Sequence, residues 1–106
     1  MSKAWKDFER LVAALVGGIR TWWASTDVVV TYPVGGESWG IECKHLKNMT
    51  LAGIEQAVDY AYERSASLGI PPERTALAVK RVGGRGIRTK VLLIYELHPP
   101  EENHGN

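Results

Sequence analysis

Two apolar runs, at 27–34 and 39–44, stand on either side of Gly35-Gly36-Glu37-Ser38, and this pairing constrains the chain more than any other feature. D-V-V-V-T-Y-P-V has the β-branched content of a buried strand. W-G-I-E-C-K reads as its returning partner, and two glycines followed by two polar residues suit a hairpin turn. A loop of two residues (35–36) or four (35–38) couples odd-numbered residues of one strand with even-numbered residues of the other. Asp27 then shares a face with Glu42 and Lys44, an inference that an odd-length loop or a bulge would break. Charges on one strand face also suit the wet side of a half-exposed antiparallel sheet. The reading of Glu42 and Lys44 therefore depends on what else the chain brings to that face.

Before the hairpin, Trp5, Phe8, Leu11, Val12, Leu15 and Val16 recur at three- and four-residue steps, which predicts an amphipathic helix over 2–16, ended by Gly17-Gly18. At about 100° per residue, Glu9 falls roughly 20° beyond Val16, on the border of the apolar stripe. A charge there is either an exposed edge residue or one that points into a cleft. Residues 19–23 read as a short strand. After the hairpin, Thr50 is placed to cap a helix over 51–68, with Leu51, Ile54, Val58, Ala61, Tyr62, Ser65 and Leu68 along one side and Gln56 and Tyr60 along another. Gly69 and Pro71-Pro72 stop it. Strands over 75–82 and 87–97 flank the loop G-G-R-G, so the expected order is α-β-β-β-α-β-β.

A chain of 106 residues, 44% hydrophobic and 24% charged, has the composition of one globular domain, expected over 1–97. The segment 98–106, H-P-P-E-E-N-H-G-N, has the composition of a disordered tail. Four tryptophans in so short a chain suggest aromatic surface buried against a partner, and a homodimer is the expectation. Of these, Trp22, Trp23 and Trp39 are expected in the core or the dimer interface, since adjacent strand positions cannot both face one ligand. A single cysteine, Cys43, excludes an internal disulfide framework and points to a reducing compartment. No apolar run approaches a membrane span, and the first ten residues are too charged for a signal peptide. An intracellular protein is expected, in the cytoplasm or in a host cytoplasm if phage-encoded.

Net charge is only +1, but its distribution is uneven. No acidic residue occurs from 75 to 95, where Lys80, Arg81, Arg85, Arg88 and Lys90 all lie. Such a basic stripe is the electrostatic footprint that a phosphate backbone requires, and these five are the candidate DNA-binding residues.

Asp27, Glu42, Lys44 and Glu9 are thus expected to meet on one side of a small mixed sheet. Facing carboxylates repel, and a hard divalent cation is the simplest remedy. Mg2+ fits best: it uses one or two protein carboxylates and keeps its remaining positions for water and substrate phosphate, as phosphodiester hydrolysis requires.

These residues resemble the PD-(D/E)XK nucleases. The resemblance covers 5–97 and rests on F-E-R (Phe8 to Arg10), T-D-V (Thr26 to Val28) and I-E-C-K (Ile41 to Lys44). Within that superfamily the chain looks most like the small Holliday-junction resolvases of archaeal type and their phage relatives. The family's proline before the aspartate is Thr26 here. The resemblance implies an α/β fold with a restriction-endonuclease-like αβββαβ core, a mixed central sheet flanked by helices. It also implies Mg2+, with Mn2+ able to substitute, held by Asp27, Glu42, the Cys43 backbone carbonyl and Glu9, directly or through water. Lys44 would orient and help deprotonate the attacking water, and Gln56 would position that water or Lys44. Gln56-x-x-x-Tyr60 is also similar to the Q-x-x-x-Y helix of exonuclease and repair branches. The Cys43 thiol, by strand alternation, turns to the opposite face as a small core residue. His45 is expected as a hydrated surface residue, with phosphate contact the alternative.

The expected function is a Mg2+-dependent, structure-selective DNA endonuclease acting on branched or four-way DNA as a homodimer. A restriction- or repair-type nuclease on duplex or flap DNA is the alternative within the enzyme class. A non-catalytic DNA-binding module of the same fold and a protein-interaction domain are the alternatives outside it.

Overall fold

The computed structural model describes residues 3–21 (side chains from residue 6), 26–31, 36–45, 50–81, 86 and 90–98. Helix α1 (Lys3–Val16) leads into strands β1 (Ile19–Arg20), β2 (Val28–Thr31) and β3 (Ser38–Lys44). Helix α2 (Leu51–Ala66) follows, then a 3-10 turn (Pro72–Arg74) and strands β4 (Thr75–Arg81) and β5 (Lys90–Ile94). The strands form one mixed sheet in the order β1-β2-β3-β4-β5. Among the described residues only the β3–β4 pair is parallel, and α2 lies in the crossover between them. The architecture is mixed α/β, with one helix packed on each face of the sheet.

Strand alternation divides the core in two. On one face Phe8, Val12 and Ala13 of α1 meet Val28, Val30, Ile41, Cys43, Ala76 and Ala78. On the other, Ala57 and Val58 of α2 meet Leu77 and Val79, with Ile54, Tyr62 and Ile94 alongside. The even-numbered residues of β3 therefore face α2. Gly40 is one of them, and any Cβ there would strike Ser65 of α2, so the strand needs a glycine to let the helix dock. Thr26 reaches the same point, its Oγ1 lying 3.4 Å from the fully buried Ser65 Oγ.

Several expectations shift in detail. The β2–β3 register pairs Val28 with Ile41 and Thr31 with Ser38. The connection is therefore six residues, 32–37, instead of two or four. Being even in length, it keeps the odd-to-even pairing on which the placement of Asp27 rested. In α1 the buried stripe is rotated toward Glu9: Phe8, Glu9, Val12 and Ala13 are buried, whereas Leu11 and Leu15 are exposed. Helix α1 ends where Gly17 adopts φ of 71°, a left-handed conformation that glycine takes without steric cost. Helix α2 is capped as expected, Thr50 Oγ1 accepting from Gly53 N at 3.0 Å, but Leu51 and Leu68 lie exposed at its ends and Ala57 takes a core place. Strand β5 ends at Ile94, short of the expected 97, and residues 87–89 lie outside the described residues. Beyond it, Tyr62 donates to Glu96 Oε1 at 2.7 Å and lies 3.3 Å from His98 Nε2, so the ordered body extends at least one residue into the segment read as tail. Trp22, Trp23, Arg85, Arg88 and 99–106 lie outside the described residues.

Candidate active site

The site forms where the residue that leads into β2 and the second half of β3 face α2. Continuing the β2–β3 register one step past Val28 sets Asp27 across from Glu42. Asp27 Oδ2 accepts a hydrogen bond from the Cys43 backbone N–H at 2.8 Å, which fixes one carboxylate against the strand carrying the other. Glu42 is almost fully buried at 6% exposure, and Lys44 is half-buried two residues on, on the same face. The Lys44 ammonium sits 5.4 Å from the centre of the Tyr60 ring.

Electrostatics set this pair apart. Burial, then the charge of Asp27, pushes the Glu42 carboxyl from its ordinary 4.5 up to about 8, with Arg64 and Lys44 pulling the other way. Burial also raises Asp27. The Cys43 N–H and Arg64 counter that, while Glu9 adds to it. Burial and mutual repulsion thus push both carboxyls toward the protonated form, Glu42 the further of the two. Burial and the nearby carboxylates push the Cys43 thiol well above its ordinary range; it is buried among the α1-side core residues, with no role as a nucleophile.

Arg64 supplies the positive charge. Its Nε lies 3.0 Å from Glu42 Oε1 and its Nη2 lies 3.7 Å from Asp27 Oδ1. Its Nη1 donates to Tyr60 Oη at 2.8 Å, and its guanidinium carbon stands 5.2 Å from that ring. Burial works against the Arg64 charge, but the Tyr60 hydroxyl and the two carboxylates hold it firmly cationic. Ser65, the next residue, is the buried docking point against Gly40 and Thr26, and so it fixes where Arg64 projects.

The remaining candidates fall around this centre. Glu9 is buried, but on the helix layer opposite α2, and Arg20 Nε donates to its Oε1 at 2.7 Å. Among the described residues no three His, Cys, Asp or Glu side chains come together as a metal site. Glu9 is thus bonded to Arg20 while its charge still reaches Asp27. Gln56 is exposed and lines an open groove of about 450 Å³ with Lys44, Gly53, Ala57 and Tyr60. His45 is exposed, with its ring edge-on to Phe8 at 5.0 Å. The basic stripe is divided by strand alternation. Lys80 lies on the α1 side with its ammonium 6.0 Å from the Phe8 ring centre. Arg81 and Lys90 are paired neighbours on the α2 side, two positions beyond Val79, the register partner of Lys44.

Sequence reasoning missed Arg20 and Arg64. For Arg64 a signal existed: Gln56, Tyr60 and Arg64 stand at four-residue steps, one row of a helix surface. Arg20, in a two-residue strand, has no such pattern.

The residues present fit a small hard cation. Asp27, Glu42 and the Cys43 carbonyl are oxygen donors, and Glu42 Oε1 is buried without a hydrogen-bond partner. Comparison with known proteins finds no matching family model, no matching curated protein and no matching solved structure. No helix among the described residues is long and apolar enough to cross a membrane.

Proposed function

We propose that the chain is a metal-dependent phosphodiester hydrolase built on a restriction-endonuclease-like core. Within that class we assign it as a structure-selective DNA endonuclease, acting as a homodimer on four-way or otherwise branched DNA. The observation that carries this reading is the pairing of half-buried Asp27 with buried Glu42, with Lys44 on the same strand face. Two carboxyls held together at the cost of mutual repulsion are poor structural elements and good ligands for a divalent ion.

Asp27, Glu42 and the Cys43 carbonyl would hold Mg2+, and Mn2+ could take its place. When bound, the ion supplies Lewis-acid stabilisation of the phosphoryl oxygens and acidifies a water. Lys44, held by the Tyr60 ring at the mouth of the groove, orients the attacking water and neutralises charge developing on phosphorus. Gln56, on the same groove wall, positions that water or the Lys44 ammonium. Arg81 and Lys90 continue the positive surface beyond Lys44 along the β4–β5 end of the sheet, where a phosphate backbone leaving the site would pass. Arg85 and Arg88 belong to the same proposal from sequence alone. Two-fold symmetry suits a junction, because an isologous dimer presents two equivalent sites to two equivalent phosphodiesters.

A second reading, a restriction- or repair-type nuclease on duplex or flap DNA, is favoured by one observation: Gln56 and Tyr60 line a groove with Lys44 in the manner of the Q-x-x-x-Y branches. Cleavage of labelled four-way, flap and linear duplex DNA, side by side in Mg2+ and in EDTA, tests both. Paired nicks in the junction alone support the resolvase, and cutting of flap or duplex supports the second reading. No metal-dependent cleavage of any substrate would leave a non-catalytic DNA-binding module of the same fold.

A further inference from the structure

Among the described residues, Arg64 alone is ion-paired with both carboxylates of the site. The contact has an unusual character. Nε and Glu42 Oε1 are only 3.0 Å apart, yet neither atom has a hydrogen-bond partner, so the N–H is not directed at an oxygen lone pair. A buried Arg–carboxylate pair selected for rigidity is normally well aligned, often bidentate. Here the guanidinium supplies charge without directional bonding. Its best hydrogen bond goes elsewhere, to Tyr60 Oη at 2.8 Å, one helical turn away. Its side chain is also 29% exposed, so a path to solvent is open.

We propose that Arg64 is the resident counter-cation of the Asp27–Glu42 pair, evicted when a divalent ion takes the same oxygens. The inference rests on the metal-site reading above and adds the step that precedes metal entry. A guanidinium 3.0 Å from Glu42 Oε1 and 3.7 Å from Asp27 Oδ1 repels a divalent ion placed on the same oxygens, so the ion binds best when Arg64 has withdrawn. Metal affinity is therefore set by competition: only the fraction of molecules with Arg64 withdrawn is competent to bind. The hydrogen bond to Tyr60 holds the guanidinium in its resident position from the solvent side, beside the ring that also carries Lys44.

The test is calorimetric titration of the full chain with Mn2+, without DNA, comparing wild type, Arg64→Met and Arg64→Lys. If the competent state is about a tenth of the wild-type population, Arg64→Met binds Mn2+ about tenfold more tightly, and Arg64→Lys, which keeps a cation, stays near wild type. Equal or weaker binding by Arg64→Met overturns the counter-cation role and leaves the metal site standing. No Mn2+ binding by wild type or variant, with both folded by circular dichroism, overturns the metal site itself and this inference with it. Because removal of Arg64 strips charge from a buried pair, a measurement that needs no Arg64 variant accompanies it. In wild type, Mg2+ must shift the Arg64 Nε–H resonance, and in Glu42→Gln the same addition must leave it in place. An Arg64 signal unmoved by saturating Mg2+ in wild type overturns the proposal.

Discussion

Each face of the sheet buries a glutamate against an arginine, and the two contacts are not alike. On the α1 side, Arg20 Nε donates to Glu9 Oε1 at 2.7 Å at the rim of an aliphatic core. On the α2 side, Arg64 Nε lies at a similar 3.0 Å from Glu42 Oε1, but both atoms lack a hydrogen bond and a second carboxylate, Asp27, stands alongside. The first contact meets the requirement that buried polar groups be satisfied. The second does not, and its glutamate is pushed up to about 8. The same residue types thus make a structural clamp on one face and a reserve of unsatisfied ligand capacity on the other.

Neutral isosteres should separate the two most sharply in activity. Glu42→Gln or Asp27→Asn is expected to lower Mg2+-dependent cleavage about a thousandfold or more while leaving DNA binding in Ca2+ measurable. Glu9→Gln should cost much less, about tenfold, because Glu9 acts on the site through its charge and through α1. Equal losses measured by single-turnover cleavage would break the distinction and make Glu9 a direct participant. Stability should show the reverse order. Glu9→Gln is expected to cost about 1–3 kcal/mol by weakening a charged hydrogen bond. Glu42→Gln, measured without metal at about pH 9, should stabilise by about 1–2 kcal/mol because a carboxyl raised to about 8 in the folded chain is ionised there at a cost to folding. Urea denaturation of both variants provides the measurement.

Why one face was readable from sequence and the other only partly follows from how each is specified. The Asp27, Glu42 and Lys44 alignment depends on strand period and loop parity, both local, and it held even though the loop is six residues long. The burial of Glu9 depends on which side of the apolar stripe α1 turns toward the sheet. Phe8, Val12 and Ala13 decide that by packing on Val28 and Ile41, and Leu11 and Leu15 carry no sign that they are the ones left out. Arg64 projects into the site because Ser65 docks against Gly40 and Thr26, three residues far apart in the chain. The split of Lys80 from Arg81 was available from strand alternation alone, once β4 is recognised.

The pH dependence of stability sharpens the comparison further. In the metal-free protein the folded chain keeps a proton on Glu42 that the unfolded chain has released, so folding takes up a proton between about 4.5 and about 8. A folded-state pKa raised above the unfolded value means that the acid is at no disadvantage below about 4.5. Stability is then lost as pH rises, and the loss is complete above about 8. The groups facing Glu42 across this window are Asp27, Arg64 and Lys44, with Glu9 acting on Asp27 from the other layer. Unfolding midpoints in EDTA should fall across the window in wild type and in Glu9→Gln, and should be markedly flatter in Glu42→Gln. A wild-type profile flat over the same range would mean that the pair is fully ionised and neutralised by Arg64.

The smallest effect concerns the basic residues that alternation has parted. Arg81 and Lys90 are exposed and lie on the α2 side beyond Lys44, whereas Lys80 is half-buried on the α1 side near the ring of Phe8. On the proposed function, a phosphate backbone at Asp27 and Glu42 would reach the first two without leaving the site face, and would reach Lys80 only by turning round the sheet edge. Removing Arg81 or Lys90 should therefore flatten the salt dependence of DNA binding by a slope of roughly 0.9 per contact, about threefold in affinity between 50 and 200 mM salt. Lys80→Ala should leave that slope unchanged and lower stability slightly, because it removes a half-buried side chain whose ammonium stands 6.0 Å from the Phe8 ring. Fluorescence anisotropy in Ca2+ over a salt series reads both quantities. Equal slope losses from Lys80 and Arg81 would require DNA contact on both faces at the β4–β5 end. The α1 side would then belong to the interface, and the two faces would differ in chemistry but not in what they bind.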